Sequence, residues 1–209
     1  MKNMKKILVL ALAALLLVAV GVGGTLAWLT DSTEKVENTF TATDLEIVLA
    51  ESDASWSKKL LPGAIYDKDP YVKVAENSES AWVFVEVVEA NNALGTGKKV
   101  TYTVDTENWE KVNVTGEHNG EVYLYKTSAL AAGDQKYFLT GGTNDHGQVE
   151  VNENVTEADM NTLPSLTFYA YAVQSENLTI DGTPIDASNV VAQAAKVWAL
   201  HAATPSTNP

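Results

Sequence analysis

The alternation of apolar and polar side chains between Leu163 and Gln174 is the feature that most restricts how this 209-residue chain folds. Successive side chains of a β-strand point to opposite faces, so this period of two predicts a strand with one face in the core. Segments with the same period recur along the chain. We therefore expect eight or so antiparallel strands in an all-β sandwich or barrel. The two faces are Leu166, Phe168, Ala170 and Ala172 against Thr167, Tyr169, Tyr171 and Val173.

The most apolar of these segments runs from Ala81 to Val88 and is apolar on both faces apart from Glu86. A strand of this kind is covered on both sides, so we expect it at the centre of a sheet. Two predictions concern its surroundings. Tyr66 to Val74 is predicted to be one continuous strand, and the Asn-Gly pair at 119–120 predicts a type I′ hairpin turn.

One segment near the C-terminus follows a helical period instead. Its apolar residues recur at offsets of three, four, seven and eight, which places them on one face of a helix. Asp186 or Ser188 is predicted to cap the helix, and a single helical turn capped by Thr156 is predicted further upstream. We expect the helix to lie against the sheet or to close one end of the sandwich. The predicted apolar face consists of Val190, Val191, Ala194, Val197, Trp198 and His201.

The N-terminus has the composition of an export signal. Three lysines precede an apolar run from Ile7 to Val22, which is shorter than the roughly 20 residues that cross a bilayer. Small residues follow, and we expect cleavage between Ala27 and Trp28 rather than a retained N-terminal anchor. This would give a signal peptide at 1–27, one domain at 28–203 and a tail at 204–209, with no stable membrane anchor after cleavage.

Three segments of the chain carry a resemblance to a known family. They are GGTLAWLTDSTEKVENTFTATDLEIVL at 23–49, the Leu-x-Pro-Gly turn with its following strands at 58–88, and FYAYAVQSENL at 168–178 followed by a helical segment that ends in a Trp. In these segments the chain resembles the TasA/camelysin family. Its members are secreted fibre proteins of Gram-positive bacteria, and a SipW-type signal peptidase processes them. The resemblance covers roughly half of the chain and leaves residues 91–163 unmatched.

The resemblance implies a jelly-roll-like β-sandwich, an extracellular or cell-surface location, and head-to-tail self-assembly into biofilm-matrix fibres. The segment 28–43 would then be a donor strand that adds to the next subunit, with Trp28, Leu29, Val36 and Phe40 filling exposed apolar positions. Two alternatives remain open at this stage. One is a camelysin-like secreted metallopeptidase, and the other is a monomeric surface-binding domain.

Charge and cysteine content exclude several classes of function. All 14 basic residues are lysines, and the formal net charge is −13. From Trp28 onward, 11 lysines face 27 acidic residues, a net charge of −16. Nucleic acid is therefore not expected as a partner. Because the chain has no cysteine, disulfides, thiol catalysis and cysteine-based zinc sites are excluded.

No motif in the chain indicates an enzyme. His118, His146 and His201 lie in no H-E-x-x-H or comparable spacing, and neither a G-x-S-x-G elbow nor a phosphate-binding loop is present. We therefore expect no catalytic, cofactor-binding or metal-binding residues. Calcium is the one cation considered, because acidic pairs could meet if loops brought them together, although none follows a calcium-loop spacing. Those pairs are Asp67 with Asp69 and Asp134 with Asp145.

Overall fold

The structure is a computed structural model that describes residues 45–53, 58–95 and 97–201. Antiparallel β-strands make up most of its regular secondary structure. A short 3₁₀ helix covers Ala158–Asn161, and one α-helix, α1, covers Ala194–His201. The strands within these residues are β1 (Ile47–Ala50), β2 (Ile65–Asp67), β3 (Tyr71–Val74), β4 (Ala81–Ala90), β5 (Ala93–Leu94), β6 (Gly97–Lys98), β7 (Val100–Tyr102), β8 (Trp109–Val112), β9 (Glu121–Tyr125), β10 (Gln135–Tyr137), β11 (Gln148–Val151), β12 (Ser165–Gln174), β13 (Thr179–Ile180) and β14 (Thr183–Pro184).

The strands form three main sheets. Sheet 1 has the order β1-β3-β10, sheet 2 the order β2-β11-β7, and sheet 3 the order β12-β4-β9-β8. Two small hairpins, β5-β6 and β13-β14, complete the pairing in the described residues. An isolated bridge between Val104 and Leu139 joins sheets 1 and 2. Both of these sheets pack apolar side chains toward sheet 3, which gives the sandwich arrangement that the alternation predicts.

Strand β4 is the centre of sheet 3. It pairs with β12 over ten residues and with β9 on its other side, and its first seven residues are all buried. Val83, Val85 and Val87 face the core between sheets 1 and 3. Trp82 and Phe84 face a second core beneath the C-terminal segment. The prediction of a central strand at Ala81 to Val88 is therefore confirmed.

Helix α1 lies against sheet 3, the first of the two positions expected for it. Trp198 is almost fully buried, with its ring centroid 5.4 Å from that of Phe84 on β4 and 4.8 Å from that of Tyr171 on β12. Both ring pairs meet edge to face, an arrangement that aromatic quadrupoles favour. The helix thus closes the face of sheet 3 that points away from sheet 1.

The predicted bounds of both helical segments need correction. The α-helix begins at Ala194, and residues 187–193 form turns, with the Asp186 carboxylate accepting hydrogen bonds from the N–H and hydroxyl groups of Ser188. Val191, predicted on the apolar face, is 41% exposed, because the turns before the helix do not keep the helical period. Upstream, the Thr156 hydroxyl donates to the Asp159 carboxylate instead of capping the 3₁₀ helix.

The predicted continuous strand at Tyr66 to Val74 is divided between two sheets. Strand β2 pairs with β11 in sheet 2, whereas β3 pairs with β1 and β10 in sheet 1. Pro70 lies at the break and has no N–H to donate to a ladder. Its carbonyl accepts the N–H of Phe138, which directs the chain into sheet 1.

The predicted type I′ turn at Asn119 and Gly120 is also wrong. Such a turn needs positive φ at both central residues, and neither has it; in this connection, residues 113–120, positive φ occurs at Gly116. Gly120 is required for a different reason, since a Cβ there would lie 1.9 Å from the carbonyl oxygen of Val87. The N–H groups of both residues instead donate to the buried Glu86 carboxylate.

Candidate functional site

Strand β12 is an open edge of sheet 3 within the described part of the chain. The N–H of Ser175 donates to the carbonyl of Ser80, the residue directly opposite it. Because bonded and non-bonded pairs alternate along an antiparallel ladder, the odd-numbered residues of β12 bond to β4. The N–H and C=O groups of Phe168, Ala170 and Ala172 therefore point away from β4. The side chains of these same residues face the core between sheets 1 and 3.

Strand β1 is the corresponding edge of sheet 1 and packs against β12. The Ala75 N–H donates to the Glu46 carbonyl directly opposite it, so the even-numbered residues of β1 bond to β3. The backbone groups of Ile47 and Leu49 then point outward, away from β3. Two sheet edges with outward-facing backbone groups thus lie on the same side of the sandwich.

We call the space between these two edges the seam. Its residues all pack against the core between the sheets, yet six of the seven are only partly buried and Phe168 is 9% exposed. The seam is therefore an apolar strip flanked by backbone donors and acceptors that make no bond to β4 or β3. An added strand requires a surface of this kind. Its members are Leu45, Ile47 and Leu49 on the β1 side and Leu166, Phe168, Ala170 and Ala172 on β12.

A buried ion pair crosses one end of the seam. Lys68 is 7% exposed, and its ammonium lies 2.7 and 2.8 Å from the two carboxylate oxygens of Glu51, just after β1. The same ammonium lies 5.4 Å from the ring centroid of Phe168, a cation–π contact. This pair links the end of β1 to the end of β2 in sheet 2.

Beyond the ion pair, the seam opens into a groove of about 330 Å³ at the start of β12, which we call the Leu166 groove. Its floor is apolar, two exposed lysines, Lys58 and Lys59, lie at its rim, and the buried Lys68 lines its wall. Leu163, at the edge of the groove, is 62% exposed, the highest value among the large apolar residues that the structure describes. The groove is lined by Lys58, Lys59, Leu60, Tyr66, Lys68, Val100, Val149, Val151, Leu163, Pro164, Ser165 and Leu166.

A second, more polar cavity of about 560 Å³ lies between β10 and the loop after β7. Two of its three acidic side chains, those of Asp105 and Asp145, accept hydrogen bonds from the surrounding loops. The Asp105 carboxylate accepts bonds from the Glu107 N–H and the Asn108 amide. The hydroxyl of Thr140 and the N–H of Gly141 hold the pKa of Asp145 below its usual range.

The most buried carboxylate of the described residues, Glu86, has a structural role. It is 1% exposed, and its oxygens accept the N–H groups of Asn119 and Gly120 and the hydroxyl of Tyr171 at 2.9 Å. Burial, together with this bond to Glu86, raises the pKa of Tyr171 well above its usual range. The network joins β4 to β12 and to the start of β9, so it holds the edge strand in place. The single polar residue within the predicted central strand was the sequence signal for it.

The three histidines lie in three separate surroundings. His118 Nδ1 is 3.0 Å from the carbonyl of Gly120, and the His146 ring stacks on Tyr137 at 3.8 Å. His201 packs between Tyr171 and Trp198 at the end of α1. The described residues contain no group of three or more His, Cys, Asp or Glu side chains positioned to hold a metal ion.

The acidic pairs considered for calcium are not brought together as ligand sets. Asp67 accepts bonds from the N–H and hydroxyl of Thr143, whereas Asp69 accepts bonds from Ser52. Asp134 accepts the Ala131 N–H in a turn, and Asp145 stabilises the Gly-rich loop. Each carboxylate thus has a local structural partner.

The residues predicted at the cleavage site and in the donor strand, namely Ala27, Trp28, Leu29, Val36 and Phe40, lie outside the described residues. The structure therefore describes the seam and not this segment. Sequence reasoning found β12 but did not find the seam, because pairing partners and open edges are properties of the folded sheet.

Compared with family models, with curated proteins and with solved structures, the chain matches none of them. In the described part of the chain, no helix has the length and apolarity needed to cross a membrane.

Proposed function

We propose that this protein is a secreted structural protein that polymerises into extracellular fibres, each copy inserting its N-terminal segment into the seam of the next. The observation that carries the proposal is the open edge of β12, whose ten residues, SLTFYAYAVQ, include no charge. A long, uncharged edge is a template for strand addition, and monomeric proteins usually protect such edges.

The N-terminal segment has the pattern that the seam requires. Trp28, Val36 and Phe40 are separated by even numbers of residues, so in a strand they share one face and Leu29 takes the other. The 13 residues from Trp28 to Phe40 exceed the length of β12. A strand from this segment would bond to the outward backbone groups of β12 and place its apolar face over the seam.

Such a contact joins two different surfaces, the N-terminal segment of one copy and the seam of another. Heterologous contacts that do not close into a ring generate filaments. Release of the segment by a SipW-type signal peptidase, with cleavage between Ala27 and Trp28, would start assembly outside the cell. The separation of the three histidines gives the metallopeptidase alternative no support.

Deletion of Trp28 to Asn38 from the mature chain tests the proposal. We expect a folded monomer with the circular dichroism of a β protein that forms no filaments in electron micrographs, over hours at rising concentration. The matched control lacks residues 204–209 and should polymerise like the mature chain. Filaments of unchanged width and repeat from the shortened protein would show that assembly uses another surface. Closed dimers from the mature chain would indicate symmetric β12-to-β12 pairing instead.

A further inference from the structure

The Leu166 groove differs in charge from the rest of this acidic molecule. Three of the ten lysines in the described residues line it, namely Lys58, Lys59 and Lys68. Lys68 pairs with Glu51 and Lys58 with Asp53, while the side chain of Lys59 lies at the exposed rim. The floor beneath them is made of buried valines on β7 and β11. The groove therefore suits an apolar group that is followed by acidic residues.

The N-terminal segment of the chain has this chemistry. Trp28 to Asp44 carries four acidic residues and one lysine, a net charge of −3, and two of the acids, Asp31 and Glu34, come within six residues of Trp28. Aromatic side chains bury roughly 150–250 Å² of surface each, and the indole of Trp28 is the largest side chain in the segment. Charge and size thus point to the first residue of the predicted mature chain.

We propose that Trp28 of a neighbouring copy docks in the Leu166 groove, where the lysine rim receives Asp31 and Glu34. This inference rests on the proposed function and adds the position and direction of the donor strand. With Trp28 at the start of β12, the donor runs parallel to β12. Eight residues separate Trp28 from Val36 and also Leu166 from Gln174, so both apolar residues fall within the length of the edge, about 26 Å apart.

The length of the segment permits this placement. Leu45, the first described residue, belongs to the seam of its own copy, and 17 residues lie between position 28 and position 44. Fully extended, they span at most about 60 Å. In this register Trp28 and Val36 lie beside β12, Phe40 lies beyond its last residue, Gln174, and Thr39 to Asp44 connect the two copies.

Photo-cross-linking in filaments tests the position of Trp28. We would replace Leu163, at the rim of the groove, with p-benzoylphenylalanine in the full mature chain and co-polymerise it with ¹⁵N-labelled protein. We expect cross-links from position 163 to residues 28–32 of a labelled copy. The matched control carries the same group at Val191, which is also exposed but lies before α1, and should give no cross-link to that segment.

Two charge variants give a second measurement. Lys59→Glu should raise the critical concentration for polymerisation by about threefold, as expected for a rim charge. Lys196→Glu makes the same charge change beside Asp181 and should leave it unchanged. Trp28→Ala should raise it by more than about tenfold, as for an aromatic anchor.

The outcomes separate this inference from the proposed function. Filaments that cross-link position 163 to Phe40, to residues 54–57 of the same chain or to no other copy would overturn the placement of Trp28 and leave fibre formation standing. Equal effects of Lys59→Glu and Lys196→Glu would overturn the role of the rim. A mature chain that forms no filaments at any concentration would overturn both.

Discussion

The two edges of sheet 3 differ in ways that matter for association. Strand β8 is four residues long, WEKV, and two of the four are charged. Lys111 forms an ion pair with Glu121. The Lys126 N–H donates to the Asn108 carbonyl, so the even-numbered residues of β8 bond to β9. The backbone groups of Lys111 therefore point away from β9. Strand β12 is ten residues long and uncharged, with an apolar strip beside its free edge.

Natural sheets protect their edges with short strands and with charged side chains, lysine above all. The β8 edge has both protections and the β12 edge has neither. Since both edges belong to one sheet of one chain, the difference is a property of the two strands rather than of overall composition. We interpret the β12 edge as a surface kept free of such protection for an added strand.

The largest effect should come from removing one outward N–H on the β12 edge. Ala170→Pro eliminates a donor that makes no bond to β4, so the β12-β4 ladder remains intact. An added strand would lose that hydrogen bond and meet the proline ring. We expect the critical concentration for polymerisation to rise by more than about a hundredfold, which corresponds to about 3 kcal/mol, measured by sedimentation of the polymer.

Lys111→Pro is the control for this prediction. It removes an outward N–H from the β8 edge in the same way, and the protein should polymerise as before. Equal loss of assembly in both variants would mean that the two edges are equivalent, or that proline unfolds the sheet, and circular dichroism distinguishes these cases.

A second, smaller effect is on the free energy of unfolding, and it concerns the packing of Gly120 against strand β4 of sheet 3. Gly120 lies against β4 at the start of β9, and a Cβ added there would lie 1.9 Å from the Val87 carbonyl oxygen. Gly120→Ala should therefore lower the free energy of unfolding by about 1–3 kcal/mol, the range for overpacking, measured by urea denaturation.

Gly97→Ala provides the comparison for Gly120→Ala. The nearest atom to a Cβ at position 97 lies at an ordinary contact distance of 3.7 Å, and the φ of this residue is not positive. We expect a change within about 0.5 kcal/mol. If both variants were equally stable, the close approach of Gly120 to β4 would not constrain the sheet.

The elements that sequence predicted best are those with a long period. The alternation in β12 and the two-sided apolar run in β4 gave their strand type and their buried faces, because side-chain direction in a strand follows from the backbone alone. The apolar face of the C-terminal segment gave the helix and the side that is buried. Its start was placed too early, since turns at 187–193 also satisfy some of the helical spacing.

Features that depend on tertiary partners were missed. The division of Tyr66 to Val74 at Pro70 depends on which strands lie beside each half. The conformation of Asn119 and Gly120 depends on a carboxylate more than 30 residues away, Glu86. The seam could not be predicted either, because a sequence indicates the strands of a sheet and not which of them lie at its edges.

The smallest predicted effect is on the pH dependence of stability, and it comes from two ion-paired carboxylates, one near each edge of sheet 3. Glu89, opposite Leu166 in the ladder, has a lowered pKa: burial opposes the charge, but hydrogen bonds from Lys98, Asn92 and Tyr102 outweigh burial. The pKa of Glu121, on the strand beside β8, is lowered mainly by its bond with the Lys111 side chain.

A lowered carboxyl pKa stabilises the fold above the unfolded value of about 4.3, and this contribution disappears as the pH falls through the folded pKa. Acidification from about pH 5 to pH 3 should therefore cost stability at both carboxylates. Glu89 is the less exposed of the two and accepts bonds from three side chains, whereas Glu121 and Lys111 are about half exposed. We expect Glu89→Gln to remove more of the pH dependence of the urea midpoint than Glu121→Gln, with both effects below about 1 kcal/mol. The reverse order would mean that the β8 edge, despite its exposed charges, depends more on its ion pair than the start of the β12 edge does.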